Sequence, residues 1–294
     1  MKRNLYRVLS FCLLSTLAVS CAKDETVKPG IEAVSQSADA TATRDSNIAM
    51  GNPSGATTNA SNYTNYLLTK TQYSMSYHRD KGKPNWVSWH LSSAWVGSTS
   101  RQDNFSADAT LPSGWFQASN SSYTGSGFDR GHNCPSADRT GSVADNSATF
   151  KMTNMMPQAA NNNQRGWASL ENYCRTLIDA GNELYIICGS YGSGGTGVNG
   201  YATTIAGGKI TVPSNCWKVV VVLPNGSGDV GRVTTSTRVI AINMPNTQTV
   251  GTNWATYRTS VDAIEQATGY NLLSAVSTSI QSAIESRVDT GATN

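Results

Sequence analysis

Apolar positions along this chain change their spacing several times, and each spacing predicts a different element. Five runs gather aromatic and β-branched residues between Gly, Pro or Asn boundaries: 72–78, 85–91, 183–189, 216–223 and 232–243. Such runs predict strands. Over 163–180 the spacing becomes helical, with Trp167, Leu170, Cys174, Leu177 and Ile178 recurring and Gly181 where a C-terminal cap belongs. Over 254–268, Trp254, Tyr257, Val261 and Ile264 share one face, and Gly269 follows. A last short helix is expected over about 274–286. The pattern implies a mixed α and β domain without internal repeats.

The N-terminal part does not share this texture. Lys2, Arg3 and Arg7 precede an apolar run from Val8 to Val19 that is too short to span a bilayer, which reads as a secretory signal over 1–21. Ala18-Val19-Ser20-Cys21 resembles a loose bacterial lipobox, in which Cys21 becomes the lipidated first residue. Lys23-Asp24-Glu25 then resembles the surface-export signal of some Gram-negative lipoproteins. The expectation is an exported protein anchored at Cys21 to the outer membrane or cell surface; an ordinary cleaved signal, giving a secreted or periplasmic protein, is the alternative. Residues 22–60 are Ser-, Thr-, Ala-, Asn- and Asp-rich with no aromatic residue. They read as a flexible tether, because such a segment buries too little apolar area to offset its ordering entropy. Aromatic residues arrive from Tyr63, so one domain with a substantial core is expected over 61–294.

Charge changes the picture once the signal is set aside. The chain has 22 basic and 19 acidic residues, and the three basic residues of 1–21 leave 19 against 19. A protein holding a polyanion by bulk charge would show a basic excess. A polyphosphate substrate would therefore need a local cluster of arginines. Of six cysteines, Cys134, Cys174, Cys188 and Cys216 remain in the expected domain, and none forms a CxxC pair, which argues against structural zinc. In an oxidising compartment an even set suggests two disulfides. Four cysteines allow three pairings; Cys188 with Cys216 and Cys134 with Cys174 is the set favoured.

Histidine is scarce: His78, His90 and His132. His90 lies in an alternating strand run and His78 before a turn-like polar stretch, so both read as packed or surface residues. His132 instead closes Gly127-Phe128-Asp129-Arg130-Gly131-His132. Downstream come Thr153-Asn154-Met155-Met156-Pro157-Gln158, then Asn163-Gln164-Arg165-Gly166-Trp167, then Leu170-Glu171 with Arg175 four residues on. These segments, in order and at this spacing, resemble the DNA/RNA non-specific endonucleases of the ββα-metal superfamily, with Thr153 where serine is usual. The resemblance covers roughly residues 62–273. It implies an α+β fold, with a central antiparallel sheet flanked by helices and a ββα unit holding His132 and Asn163. Cleavage of DNA and RNA through contacts to the phosphate backbone would follow, leaving 5′-phosphate and 3′-hydroxyl ends.

The resemblance also distributes roles that chemistry supports. A neutral imidazole can take a proton from water, so His132 suits a general base. The resemblance makes Asn163 the single protein ligand of a divalent ion. One ligand with many waters suits Mg²⁺, with Mn²⁺ the alternative. In a regular helix Glu171 lies about 12 Å along the axis from Asn163 and about 80° round it, too far to share the ion directly. Glu171 is therefore expected to act through water on the ion's hydration shell. Arg130 is a candidate phosphate clamp, and Arg175 would pair with Glu171 or face the phosphate. Asp129 reads as a structural ion-pair partner of Arg130. Asn154 and Gln158 would support the metal loop or satisfy backbone groups, Trp167 belongs in the core, and Arg165 either adds a phosphate contact or faces solvent. The rival class is a non-catalytic nucleic-acid-binding or adhesive surface lipoprotein.

Overall fold

The five apolar runs become strands of one sheet, and the reason they are so uniformly apolar is that both faces of that sheet are covered. A computed structural model describes residues 41–293. The expected signal 1–21 with Cys21, and residues 22–40 of the expected tether, lie outside the described residues. In chain order the strands are β1 (Tyr66–Thr69), β2 (Ser74–His78), β3 (Lys83–Leu91), β4 (Asp129–His132), β5 (Met155–Gln158), β6 (Asn182–Tyr191), β7 (Gly195–Gly197), β8 (Gly200–Ala202), β9 (Thr204–Ile205), β10 (Ile210–Thr211), β11 (Asn215–Pro224), β12 (Arg238–Pro245) and β13 (Arg258–Thr259). The helices are α1 (Val143–Ala148), α2 (Ala168–Asp179), α3 (Asp229–Arg232), α4 (Val261–Thr268) and α5 (Thr278–Ile284). The main sheet has seven strands in the order β1-β2-β3-β6-β11-β12-β13. Every neighbouring pair in it is antiparallel.

Strand β11 shows how the faces divide. Val220 joins a core with Val87, Trp89, Ile186 and the α2 residues Leu170, Tyr173, Cys174 and Ile178. Its neighbours Val219, Val221 and Leu223 point the other way, into a core with Val261 and Ile264 of α4 and Ile284 of α5. Alternate residues thus serve different cores, and the strand reads as a continuous apolar run. No described helix is long and apolar enough to cross a membrane.

Four expectations are corrected. Residues 41–60, read as tether, pack on the sheet: Met50 and Ala56 join the second core, and the Asn47 carbonyl accepts from Ser88 Oγ at 2.5 Å. Burying Met50 alone stabilises by roughly 1.5–3 kcal/mol. The single helix over 254–268 is instead a 3₁₀ turn (Trp254–Tyr257), strand β13 and then α4. Ser260 restarts the helix, accepting from the Ala263 N–H at 3.2 Å as an N-cap. The strand over 232–243 begins only at Arg238, because hydroxyls in the Thr-Thr-Ser-Thr run capture local backbone, as Thr237 Oγ1 does with the Thr234 N–H at 2.8 Å.

The expected disulfides are not formed among the described residues: Cys134, Cys174, Cys188 and Cys216 are free and buried. Register explains one pair. Cys216 lies opposite Ser190, and Cys188 opposite Lys218. Their diagonal offset corresponds to roughly 7–8 Å, beyond the reach of a bridge. Burial pushes the thiols of Cys134, Cys174 and Cys216 up to about 12.

Candidate active site

The Asp-Arg-Gly-His run forms β4, which pairs antiparallel with β5 in the register Asp129↔Gln158 to His132↔Met155. A helix follows, completing a ββα unit. Glycine at 131 is required sterically, since a Cβ there would collide with the Gln158 side chain. Gln158 in turn donates to Asn162 Oδ1 at 2.6 Å, and Asn162 donates to the Pro245 carbonyl at 2.8 Å. Asn154 is buried and closes the β4 end. Its Nδ2 donates to the Cys134 and Thr149 carbonyls, and its Oδ1 accepts from the Cys134 N–H. Asn154 and Gln158 thus hold the backbone that carries the site.

The helix expected to start at residue 163 does not begin as a regular one. Asn162–Trp167 is π-helical, and α2 continues from it. A π turn holds more residues than an α turn, so the phase of Asn163 against Glu171 differs from that of an unbroken helix. At this start, Asn163 Nδ2 and Gln164 Nε2 both donate to Asp129 Oδ2, each at 2.8 Å. Asp129 is therefore not the ion-pair partner of Arg130. Its carboxylate, which only accepts, holds the donor end of the Asn163 amide and leaves the carbonyl oxygen free of a protein donor among the described residues.

His132 lies in a line of alternating cations and rings. Its imidazole stands edge-on to Phe105 at 5.6 Å and to Phe150 at 5.0 Å. The Arg130 guanidinium covers Phe105 at 4.1 Å, and that of Arg101 covers Phe150 at 4.8 Å. The His132 Nε2 is buried and has no hydrogen-bond partner among the described residues. Burial, then the Arg101 and Arg130 charges, push the imidazole down to about 3. In front of this line lies a cleft of about 370 Å³ whose wall includes Arg101, Phe105, Asp129, Arg130, Asn163 and Gln164.

Glu171 and Arg175 are not part of that wall. Glu171 accepts from the buried Lys218 Nζ at 3.0 Å. Lys218 lies over Trp167 at 4.1 Å. Burial raises the Glu171 carboxyl, while on Lys218 burial is outweighed only by Glu171 together with Cys188 and Cys174, which hold the ammonium above the ordinary lysine range. Arg175 pairs with Asp138 at 2.8 Å rather than with Glu171. Trp167 is core. Arg165 is exposed.

A ββα unit whose unpartnered histidine packs on Phe105, behind a cleft lined by Arg101, Arg130 and Asn163, invites comparison with known proteins. The sequence model of the DNA/RNA non-specific endonucleases matches residues 50–279. The chain belongs to that family. A protein of Nostoc sp. named Nuclease is 46% identical over 281 residues, covering 96% of this chain and 97% of its own. The mitochondrial nuclease EXOG of Xenopus laevis is 33% identical over 178 residues, covering 58% of this chain and 47% of that protein. The crystal structure of the EndoG/EndoGI complex superposes with a TM-score of 0.63 at 22% identity, covering 79% of this chain and 91% of that one, a likeness of fold. This endonuclease acts on nucleic acids, and its α+β architecture is the one the motifs implied.

Three of the endonuclease's cleft features were not found by reading the sequence: Arg101, Phe105 and the tie of Asp129 to two amides. Arg101 and Phe105 lie in Ser-Thr-Ser-Arg-Gln-Asp-Asn-Phe, which has no periodicity. The signal available was the charge balance, which demanded a local arginine cluster.

Proposed function

We propose that this endonuclease hydrolyses the phosphodiester bonds of both DNA and RNA without sequence preference, with His132 as general base and a divalent cation held at Asn163. The observation carrying this reading is the His132 Nε2, buried without a protein partner and flanked by Arg101 and Arg130. An unsatisfied buried nitrogen costs stability, and a water awaiting deprotonation would complete it. With its pKa held low, the imidazole is neutral across the physiological range, and a phosphate that offset the Arg101 and Arg130 charges would raise its basicity towards what that proton transfer needs.

The free carbonyl of Asn163 fits a hard cation, since Asp129 fixes the amide by its other end. One protein ligand leaves room for waters, which suits Mg²⁺, with Mn²⁺ the alternative. When bound, the ion would polarise the phosphate and stabilise the departing 3′ oxygen. Arg101 and Arg130 would grip the non-bridging oxygens through their planar forks. Contacts of this kind touch nothing that differs between bases. Glu171 and Arg175 act as positioning residues: by binding Lys218 and Asp138 they anchor α2, and with it the π-helical start that presents Asn163. Residues 1–21 support export with a lipid on Cys21; palmitate labelling that persists in Cys21→Ser would reject the anchor.

The test uses supercoiled plasmid and total RNA, with Mg²⁺ or EDTA, against wild type, His132→Ala and Asn163→Ala. Degradation of both polymers that needs the ion and vanishes in both variants is the expected result. Cleavage that persists in EDTA, or in His132→Ala, would overturn the mechanism.

A further inference from the structure

We propose that Asp262, Glu265 and Glu285 form a second divalent-cation site, of calcium type, which fastens the C-terminal helix α5 to α4. Each offers a carboxylate oxygen, and the three oxygens lie within 4.8 Å of one another. Two oxygens bound to one calcium at about 2.4 Å can be at most about 4.8 Å apart, so the cluster has the span of a shared ion.

Two of the carboxylates have local explanations and the third does not. Asp262 stands in the first turn of α4, where the helix dipole favours an acid. Glu265 Oε1 accepts from the Leu272 N–H at 2.7 Å. Glu285 is only 5% exposed, and its Oε1 is buried with no hydrogen-bond partner among the described residues. It caps the carbonyl end of α5, where the dipole disfavours a negative charge. Among the described residues none of the three makes an ion pair with Lys or Arg. Burial, Glu265 and Asp262 all act in one direction on Glu285, pushing its carboxyl up to about 7. A buried, unpaired acid beside two others needs positive charge from outside the chain.

The geometry favours a cation over a bare proton. A proton would neutralise Glu285 but leave Asp262 and Glu265 facing each other. Asp262 is exposed, so the cluster has an open side through which an ion and its waters enter. Calcium accepts several carboxylates with waters in a flexible shell, whereas Mg²⁺ demands a stricter octahedron. The backbone already joins the elements here, since the Asp262 N–H donates to the Glu285 carbonyl at 3.1 Å. An ion would add a second tie between them.

The test is thermal unfolding of the full chain carrying Asn163→Ala, which removes the ligand proposed at the cleft. Millimolar calcium should raise Tm saturably by about 3 °C or more over EDTA. Asp262→Asn, a surface change that leaves the fold intact, should abolish the rise, and so should Glu285→Gln. Absence of any calcium shift in the Asn163→Ala protein, or a shift that survives in either carboxylate variant, would overturn the proposal.

Discussion

Two histidines of this endonuclease lie among aromatic rings, and they are built in opposite ways. His90 is fully buried against Tyr185, with ring centroids 4.8 Å apart. Its Nδ1 accepts from the Asp45 N–H at 3.3 Å, and its Nε2 reaches Glu183 at 3.1 Å. With Nδ1 accepting, the neutral ring carries its proton on Nε2 and donates it to the carboxylate. Every polar atom of that ring is satisfied. His132 is flanked by Phe105 and Phe150, and its Nε2 has no partner among the described residues. The Nε2 atom is buried in both, and partnering separates them. A finished network specifies one packed state. An unfinished one costs on the order of 1–3 kcal/mol, and is retained where something outside the chain completes it.

Substituting each histidine should give opposite phenotypes, and this is the largest effect expected. His132→Ala should lower plasmid cleavage by about 10²–10⁴-fold, the usual contribution of a general base, with no loss of stability in a urea melt. His90→Ala should keep cleavage but lose roughly 2–4 kcal/mol of stability, from the cavity and from the hydrogen bond stripped from buried Glu183. If His90→Ala abolished cleavage at unchanged stability, the contrast between a structural and a functional histidine would collapse.

That contrast was partly legible in the chain itself. The alternating run around His90 marked a packed strand, and the run ending in His132, with the later Asn163 segment, marked a site. The strands were readable because Trp, Val and Ile cluster there, with both sheet faces covered. Residues 41–60 were not, because what they bury is mostly small or polar: Asn47 accepts from the His90 N–H at 3.2 Å, and Ser54 accepts from Trp86 at 2.8 Å. Composition sees a polar segment, while the sheet needs those polar atoms. Partners were the least legible feature. Asp138, which holds Arg175, lies 37 positions away in sequence, and Lys218, which holds Glu171, lies 47 away. An i, i+4 acid and arginine on one helix suggested each other, and tertiary packing gave each a different partner.

The pair of Glu171 and Lys218 sharpens the comparison, since it is also a buried polar group with its partner supplied by the chain. Lys218→Met should destabilise by about 3–5 kcal/mol, because it leaves a carboxylate desolvated without its counter-charge. The double variant Lys218→Met/Glu171→Leu should recover most of that stability. Its cleavage should stay about 10–100-fold down if anchoring α2 positions Asn163. A double variant that is both stable and fully active would reduce the pair to packing.

Phe105 tests how far the apolar wall makes His132 what it is, and its effect should be the smallest. Burial is the leading cause that holds the imidazole down to about 3. The acid limb of kcat/KM should therefore lie well below the ordinary histidine pKa of about 6.5. The same shift links to stability. The unfolded chain takes up the proton first, so stability should fall as pH drops below about 6.5 and level off near the folded value. Phe105→Ala admits water to the ring and removes the face on which Arg130 lies. Both the acid limb and the extent of acid destabilisation should then change together: the limb moves up towards 6.5, and the stability loss still begins there but levels off at a higher pH and is smaller. A pH–rate profile identical to wild type would mean that the arginine charges, not the aromatic wall, keep His132 neutral.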